Sequence, residues 1–217
     1  MKKVAQMKKT SAILVLLLLS GLASVSGWAQ TAAPATLTSE ERELALKSLQ
    51  ATHDKFLQSI AGLSPKQWAF KPAPDRWSVA EVAEHITVSE SAIFGLVQKQ
   101  IMTSPATPEK REQVKGKDEI VLQKVPDRSH KAQAPEFLRP TGRWATEMDL
   151  IKAFEESRRA TMDYVRTTND DLRDHFFDHP VLGTMDGYLW LLLISAHSER
   201  HTAQIEEVKA DPNFPKN

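Results

Sequence analysis

The chain has 217 residues, 41% of them hydrophobic and 26% charged, which is enough for one globular domain with a real core and excludes a disordered or fibrous protein. Four of its 28 basic residues lie in the first 30 positions, which hold no acid; beyond Gln30 there are 24 basic and 28 acidic residues, a net charge near −4. Such a surface offers nucleic acid no electrostatic footing. With no cysteine, disulfides and thiolate ligands are excluded, so any metal site must be built from His, Asp or Glu.

The N-terminus reads as a secretory signal over residues 1–29. Lys2, Lys3, Lys8 and Lys9 form a basic region, Ala12 to Ala23 an apolar stretch, and Gly27-Trp28-Ala29 a small-residue cleavage site. The apolar stretch is shorter than the roughly 20 residues that span a bilayer. The expectation is therefore an exported protein, periplasmic or secreted, cut after Ala29 and without a membrane span. Met7 is an alternative start, because the stretch that follows it is a well-proportioned signal by itself. Residues 30–37 read as a linker and 38–217 as the domain.

Four helical segments follow. Thr38 with Glu41 three residues on is a capping box, and Leu46, Leu49, Phe56, Leu57 and Ile60 supply the first apolar face. Ser78 and Glu81 open the second helix, which carries Val79, Val82, Ile86, Ile93 and Val97 at helical spacing to about Met102. His85 lies three residues after Val82, on that inward stripe. Ser104 to Arg143 has five prolines and many charges, and is expected to be a long, loosely packed loop tied down near Trp144. The third helix starts near Thr146, with Leu150, Phe154, Ser157, Thr161, Met162 and Val165 inward. The fourth runs from about Met185 to Ala210; its apolar run at 188–196 alone would fit a strand, but the pattern continues through Ile205 and Val208. The fold class expected is all-α, an up-down four-helix bundle with essentially no sheet.

His197 and His201 stand four apart on the fourth helix, so their side chains share a face with Cβ atoms about 5–6 Å apart. Two imidazoles so placed can converge on one ion, and His85 faces inward on another helix. Three histidines leave a coordination position open, which suggests chemistry, because structural zinc sites are usually closed by four protein ligands. An ordinary hydrogen-bonded core histidine explains each residue singly. The spelling is H-S-E-R-H, and Glu199, two residues after His197, points away from that face, which excludes a zincin-type base. Glu81, Ser89 and Gln204 are candidate partners for the ligand imidazoles. His175 and His179 read as turn or capping residues, His53 as a core or boundary residue, and His130 carries no signal.

RWSVAEVAEHI at Arg76–Ile86, HPVLG at His179–Gly183, HSERHTAQIEEV at His197–Val208 and the closing DPNFP together resemble the DinB-like superfamily of bacterial four-helix proteins, over roughly Thr38 to Pro215. The resemblance implies a bundle with a long crossover between the second and third helices. It also implies a divalent metal held by His85, His197 and His201; three imidazoles suit zinc or nickel better than magnesium or calcium. Members of that family include metal-dependent hydrolases and transferases that use low-molecular-weight thiols, as well as proteins without known activity. The expected function is therefore metal-dependent hydrolysis or thiol transfer on a small-molecule substrate. The alternative is a non-catalytic metal-binding or stress-related bundle, or an interaction module whose face pairs with another protein or with a second copy as a homodimer.

Overall fold

The structure is a computed structural model, and it describes residues 36–130 and 133–216. The signal segment and most of the linker therefore lie outside the described residues. Four long helices make the body: α1 (Ser39–Ile60), α3 (Val79–Leu96, continued by a π-helical turn over Val97–Ile101), α6 (Glu147–Thr167) and α7 (Gly187–Lys209). Short helices α2 (Pro65–Trp68), α4 (Arg111–Val114) and α5 (Lys117–Lys124) lie in the connections. The helix starts follow from local chemistry. Thr38 and Ser78 each cap the backbone N–H three residues on while Glu41 and Glu81 reach back, closing the capping boxes of α1 and α3. The Thr146 hydroxyl accepts from the Asp149 N–H at α6, and the Asp186 carboxylate accepts from the Leu189 N–H at α7.

Two apolar clusters divide the core along its length. One holds Ala45 and Leu49 of α1, Ile93 and Val97 from the end of α3, Val165 of α6, and Leu189 to Ile194 of α7. The other holds Phe56 and Ile60, Val79, Val82, Ala83 and Ile86, Leu150 and Phe154, and Ile205 and Val208. The first ends of α1 and α7 thus share a cluster with the last ends of α3 and α6, so α1 runs parallel to α7 and α3 parallel to α6. This corrects the simple up-down alternation expected from the sequence: the order is up-down-down-up. A chain joining parallel neighbours must return along the bundle, and α6 alone, at 21 residues and about 1.5 Å per residue, is roughly 30 Å long. Residues 102–146 make that return.

The return segment is not the loose loop that its prolines and charges suggest. It contains α4, α5 and a 3₁₀ turn at Glu136–Leu138, and buries Val114 and Val121 in the core. A second departure from expectation is an antiparallel hairpin, β1 (Phe176–His179) with β2 (Gly183–Asp186), which pairs Phe176 with Asp186 and His179 with Gly183. Its turn is shaped by His179, whose Nδ1 accepts from the Val181 and Leu182 N–H groups, both at 3.1 Å, and by Gly183 at φ +68°. Strands this short carry no usable periodicity, and β2 runs straight into the cap of α7. Among the described residues no helix is long and apolar enough to cross a membrane.

Candidate metal centre

The apolar stripes of α3 and α7 face each other, which brings the histidines on them together. His85 Nε2 lies 3.2 Å from His197 Nε2 and 3.2 Å from His201 Nε2. Among the described residues this trio is the one group of three or more His, Cys, Asp or Glu side chains whose ligand atoms lie close enough to share an ion. His85 is buried, whereas His197 and His201 each keep a partly accessible edge. The Trp77 ring packs 5.0 Å from the His85 ring and shields that flank.

The outer nitrogens decide which tautomers are present. His85 Nδ1 lies 2.9 Å from the Leu138 carbonyl, which can only accept, so Nδ1 carries the proton. His201 Nδ1 lies 2.8 Å from Gln204 Oε1. The Arg128 Nη1, which can only donate, reaches the same Gln204 atom at 3.3 Å. That atom is therefore the amide oxygen, and His201 Nδ1 must donate to it. His85 and His201 accordingly turn bare Nε2 lone pairs toward one another. One proton on His197 Nε2 can satisfy only part of this arrangement, whereas a cation satisfies all of it. Nitrogens sharing a tetrahedral ion at roughly 2.0–2.1 Å sit about 3.3 Å apart, close to the two spacings seen.

Electrostatics also keep the three rings neutral. Burial lowers His85 and outweighs the opposing Leu138 contact. Burial, then the adjacent His201 and His85, hold His197 well below the ordinary imidazole value. Burial and His85 bring His201 down to about 3, against the Gln204 contact. Neutral imidazole is the ligating form, so little proton competition remains near pH 7.

The neighbouring carboxylates are all engaged. Glu199 pairs with Lys55 of α1, away from the trio. Glu81 closes the α3 capping box and pairs with Lys71, so it does not serve His85. Ser89 is buried with no partner for its hydroxyl, and does not serve His85 either. Of the three candidate partners, Gln204 alone contacts a ligand imidazole. Glu84, which sequence reasoning passed over, is buried and accepts from the backbone N–H groups of Thr141 (2.7 Å), Gly142 (2.9 Å) and Arg143 (3.3 Å). Its signal was visible: an acid beside His85 on a helix face otherwise buried. His179 packs at a tilt against Trp190 of α7, ring centroids 5.3 Å apart, and shapes its turn, while His53 stacks on Phe154 at 5.7 Å. Tyr188 buries its ring and donates its hydroxyl to the Glu41 carbonyl at the other end of the bundle, away from the histidines.

The family model of the DinB superfamily matches residues 48–205, which includes all three histidines. The chain belongs to the DinB superfamily. A Bacillus subtilis relative, the uncharacterized protein YuaE, is 22% identical over 150 residues, covering 69% of this DinB chain and 88% of that protein. Among solved structures it is similar to YfiT from Bacillus subtilis, described as a probable metal-dependent hydrolase with an unusual four-helix bundle topology. That match has TM-score 0.53 and 16% identity, and covers 83% of this chain and 92% of that one. At that identity the likeness shows the fold.

Proposed function

We propose that this DinB-superfamily protein is exported and holds one divalent ion, zinc or nickel, on the Nε2 atoms of His85, His197 and His201, where it hydrolyses a small-molecule substrate. The observation that carries the reading is the convergence of three neutral imidazoles, two with their outer nitrogens tied, on a point where their lone pairs repel unless a cation lies between them. The description of YfiT as a probable metal-dependent hydrolase supports the same chemistry. A divalent ion held by three imidazoles supplies a Lewis acid and lowers the pKa of a coordinated water toward about 7. The residues of this chain do the rest. Leu138 and Gln204 fix the tautomers and aim of His85 and His201, and Trp77 shields the His85 flank from solvent. Glu81, Glu84 and Glu199 are engaged elsewhere, so the reading assigns no side-chain base.

Hydrolysis is preferred over thiol transfer because the N-terminal signal directs the chain away from the cytosol, where low-molecular-weight thiols are concentrated. N-terminal sequencing of protein from the cell exterior or periplasm tests export: a start near Gln30 is expected, and a cytoplasmic protein beginning at Met1 or Met7 contradicts it. Titration calorimetry with zinc and with nickel tests the site. The wild-type protein should bind one ion, His201→Ala should lose tight binding while staying folded, and His179→Ala should bind as wild type. Equal binding by wild type and His201→Ala contradicts the reading.

A further inference from the structure

The return segment touches the histidine centre from both sides. On the α3 side, the Leu138 carbonyl accepts from His85 Nδ1, and residues 141–143 hang by three backbone N–H groups from Glu84, the residue before that ligand. Gly142, at φ +75°, turns the backbone so that successive N–H groups converge on one carboxylate, a conformation costly for any residue with a Cβ. On the α7 side, Arg200, the residue before His201, donates to the carbonyls of Val125 (3.1 Å), Asp127 and His130 (2.6 Å). Arg128 pairs with Glu207 through Nε (2.6 Å) and Nη2 (2.8 Å) and extends Nη1 to Gln204, the amide that holds His201. Residues 125–130 and 138–143 thus join the two ligand-bearing helices: Leu138 bonds a ligand directly, Glu84 and Arg200 each adjoin one in sequence, and Arg128 reaches His201 through Gln204.

We propose that Glu84 and Arg128 are positioning residues for the metal centre: they dock the return segment so that its groups set the His85 and His201 imidazoles, and ion binding and docking of this segment strengthen each other. The proposal rests on the three-histidine reading. Its physical basis is reciprocity. If docking raises the affinity for the ion by some factor, the ion stabilises docking by the same factor. Each imidazole turns about two side-chain torsions, and its outer hydrogen bond is what removes that freedom before the ion arrives. Glu84 supplies the hold on the Leu138 side, and the Arg128 guanidinium keeps the Gln204 oxygen, not its NH₂, turned toward His201.

The test uses the full mature protein with zinc as probe, measured by competition against a chromophoric chelator, together with hydrogen exchange of 125–130 and 138–143 with and without zinc. Glu84→Ala and Gln204→Leu should each weaken zinc about 10–100-fold, the usual effect of removing a group that orients a metal ligand. Arg128→Ala should weaken it in the same direction. Gln204→Glu, which keeps an acceptor for His201 Nδ1, should restore near wild-type affinity. Zinc should slow exchange in both stretches of wild type, and less so in Glu84→Ala. The cobalt(II) absorption spectrum should change in Gln204→Leu, a half-buried position outside both apolar clusters, and not in Glu112→Ala, an exposed site in the return segment. If the wild type binds zinc and all these variants bind it within about twofold, far less than such groups usually contribute, the proposal is overturned while the metal reading stands. If the wild type binds no zinc, nickel or cobalt, both fall.

Discussion

Between the two apolar clusters lies a buried ion pair, and its removal gives a sharp test of how this core is held. The side chains of Arg158 and Glu90 are each 1% exposed. Arg158 Nη2 donates to Glu90 Oε2 at 2.8 Å, Nε donates to Oε1, and Nη1 donates to Thr52 Oγ1 at 2.9 Å and to the Leu49 carbonyl. Truncation by Glu90→Ala leaves a full positive charge and two guanidinium donors without partners in a place water does not reach. Breaking one side of such a pair costs about 3–5 kcal/mol. For a chain of this size that corresponds to a fall in Tm of roughly 6–20 °C. Replacing both members together, Glu90→Leu with Arg158→Met, removes the stranded charge and should recover most of the loss or exceed wild-type stability. Thermal and urea unfolding followed by circular dichroism, run as a double-mutant cycle, measures both effects. A Glu90→Ala protein within about 1 kcal/mol of wild type would refute the reasoning, because it would mean that water or another group already compensates Arg158.

Two further predictions rest on equally specific contacts. At Gly187, the first residue of α7, an added Cβ would meet Leu172 Cδ2 at 2.8 Å and the Leu172 carbonyl at 3.1 Å. Gly187→Ala should therefore destabilise by about 1–3 kcal/mol in urea unfolding, although alanine is the better helix former; a stabilised variant would contradict that packing. The metal-free protein should lose stability as the pH falls below 6.5. Its centre histidines are held neutral in the fold, His201 down to about 3, but take up protons in the unfolded chain near 6.5. The unfolded state then binds more protons, so the stability is fully present above 6.5 and is lost toward the folded values, at up to about 1.4 kcal/mol per pH unit for each histidine. Asp186, pushed up to about 6 mainly by burial, titrates in the same window with the opposite sign. The informative quantity is therefore the difference in slope between the wild type and His201→Gln, measured between pH 7.5 and 5 after chelator treatment. Equal slopes would show that His201 is not kept neutral by the fold.

The parts of this protein that were legible in the sequence are those written in local chemistry. Thr38, Ser78 and Thr146 mark helix starts because a capping side chain and its partner lie within one turn, and the structure uses each of them. The three histidines were legible because helical spacing and apolar stripes say which side chains face inward, and α3 and α7 then bring them together. Helix direction was not legible in residue spacing. Parallel α3 and α6 depend on which clusters pack together, and spacing along one helix does not encode that. The return segment was misjudged because a few valines suffice to dock it; the remaining ties are backbone groups, such as the Leu138 carbonyl and the N–H groups on Glu84, which have no sequence signature. Arg158 was overlooked although a signal existed. It falls between Phe154 and Thr161 on the α6 stripe, as Glu90 falls between Ile86 and Ile93 on α3, and two opposite charges on facing apolar stripes are more economical to bury together than apart.

X-ray absorption at the metal edge of protein loaded with one equivalent of zinc tests the central claim most directly. The account predicts three imidazole nitrogens at roughly 2.0–2.1 Å, with the remaining scatterer a light atom from solvent, and loss of the imidazole signal to two or fewer in His85→Ala. A zinc spectrum unchanged by His85→Ala, or one dominated by carboxylate oxygen, would contradict it.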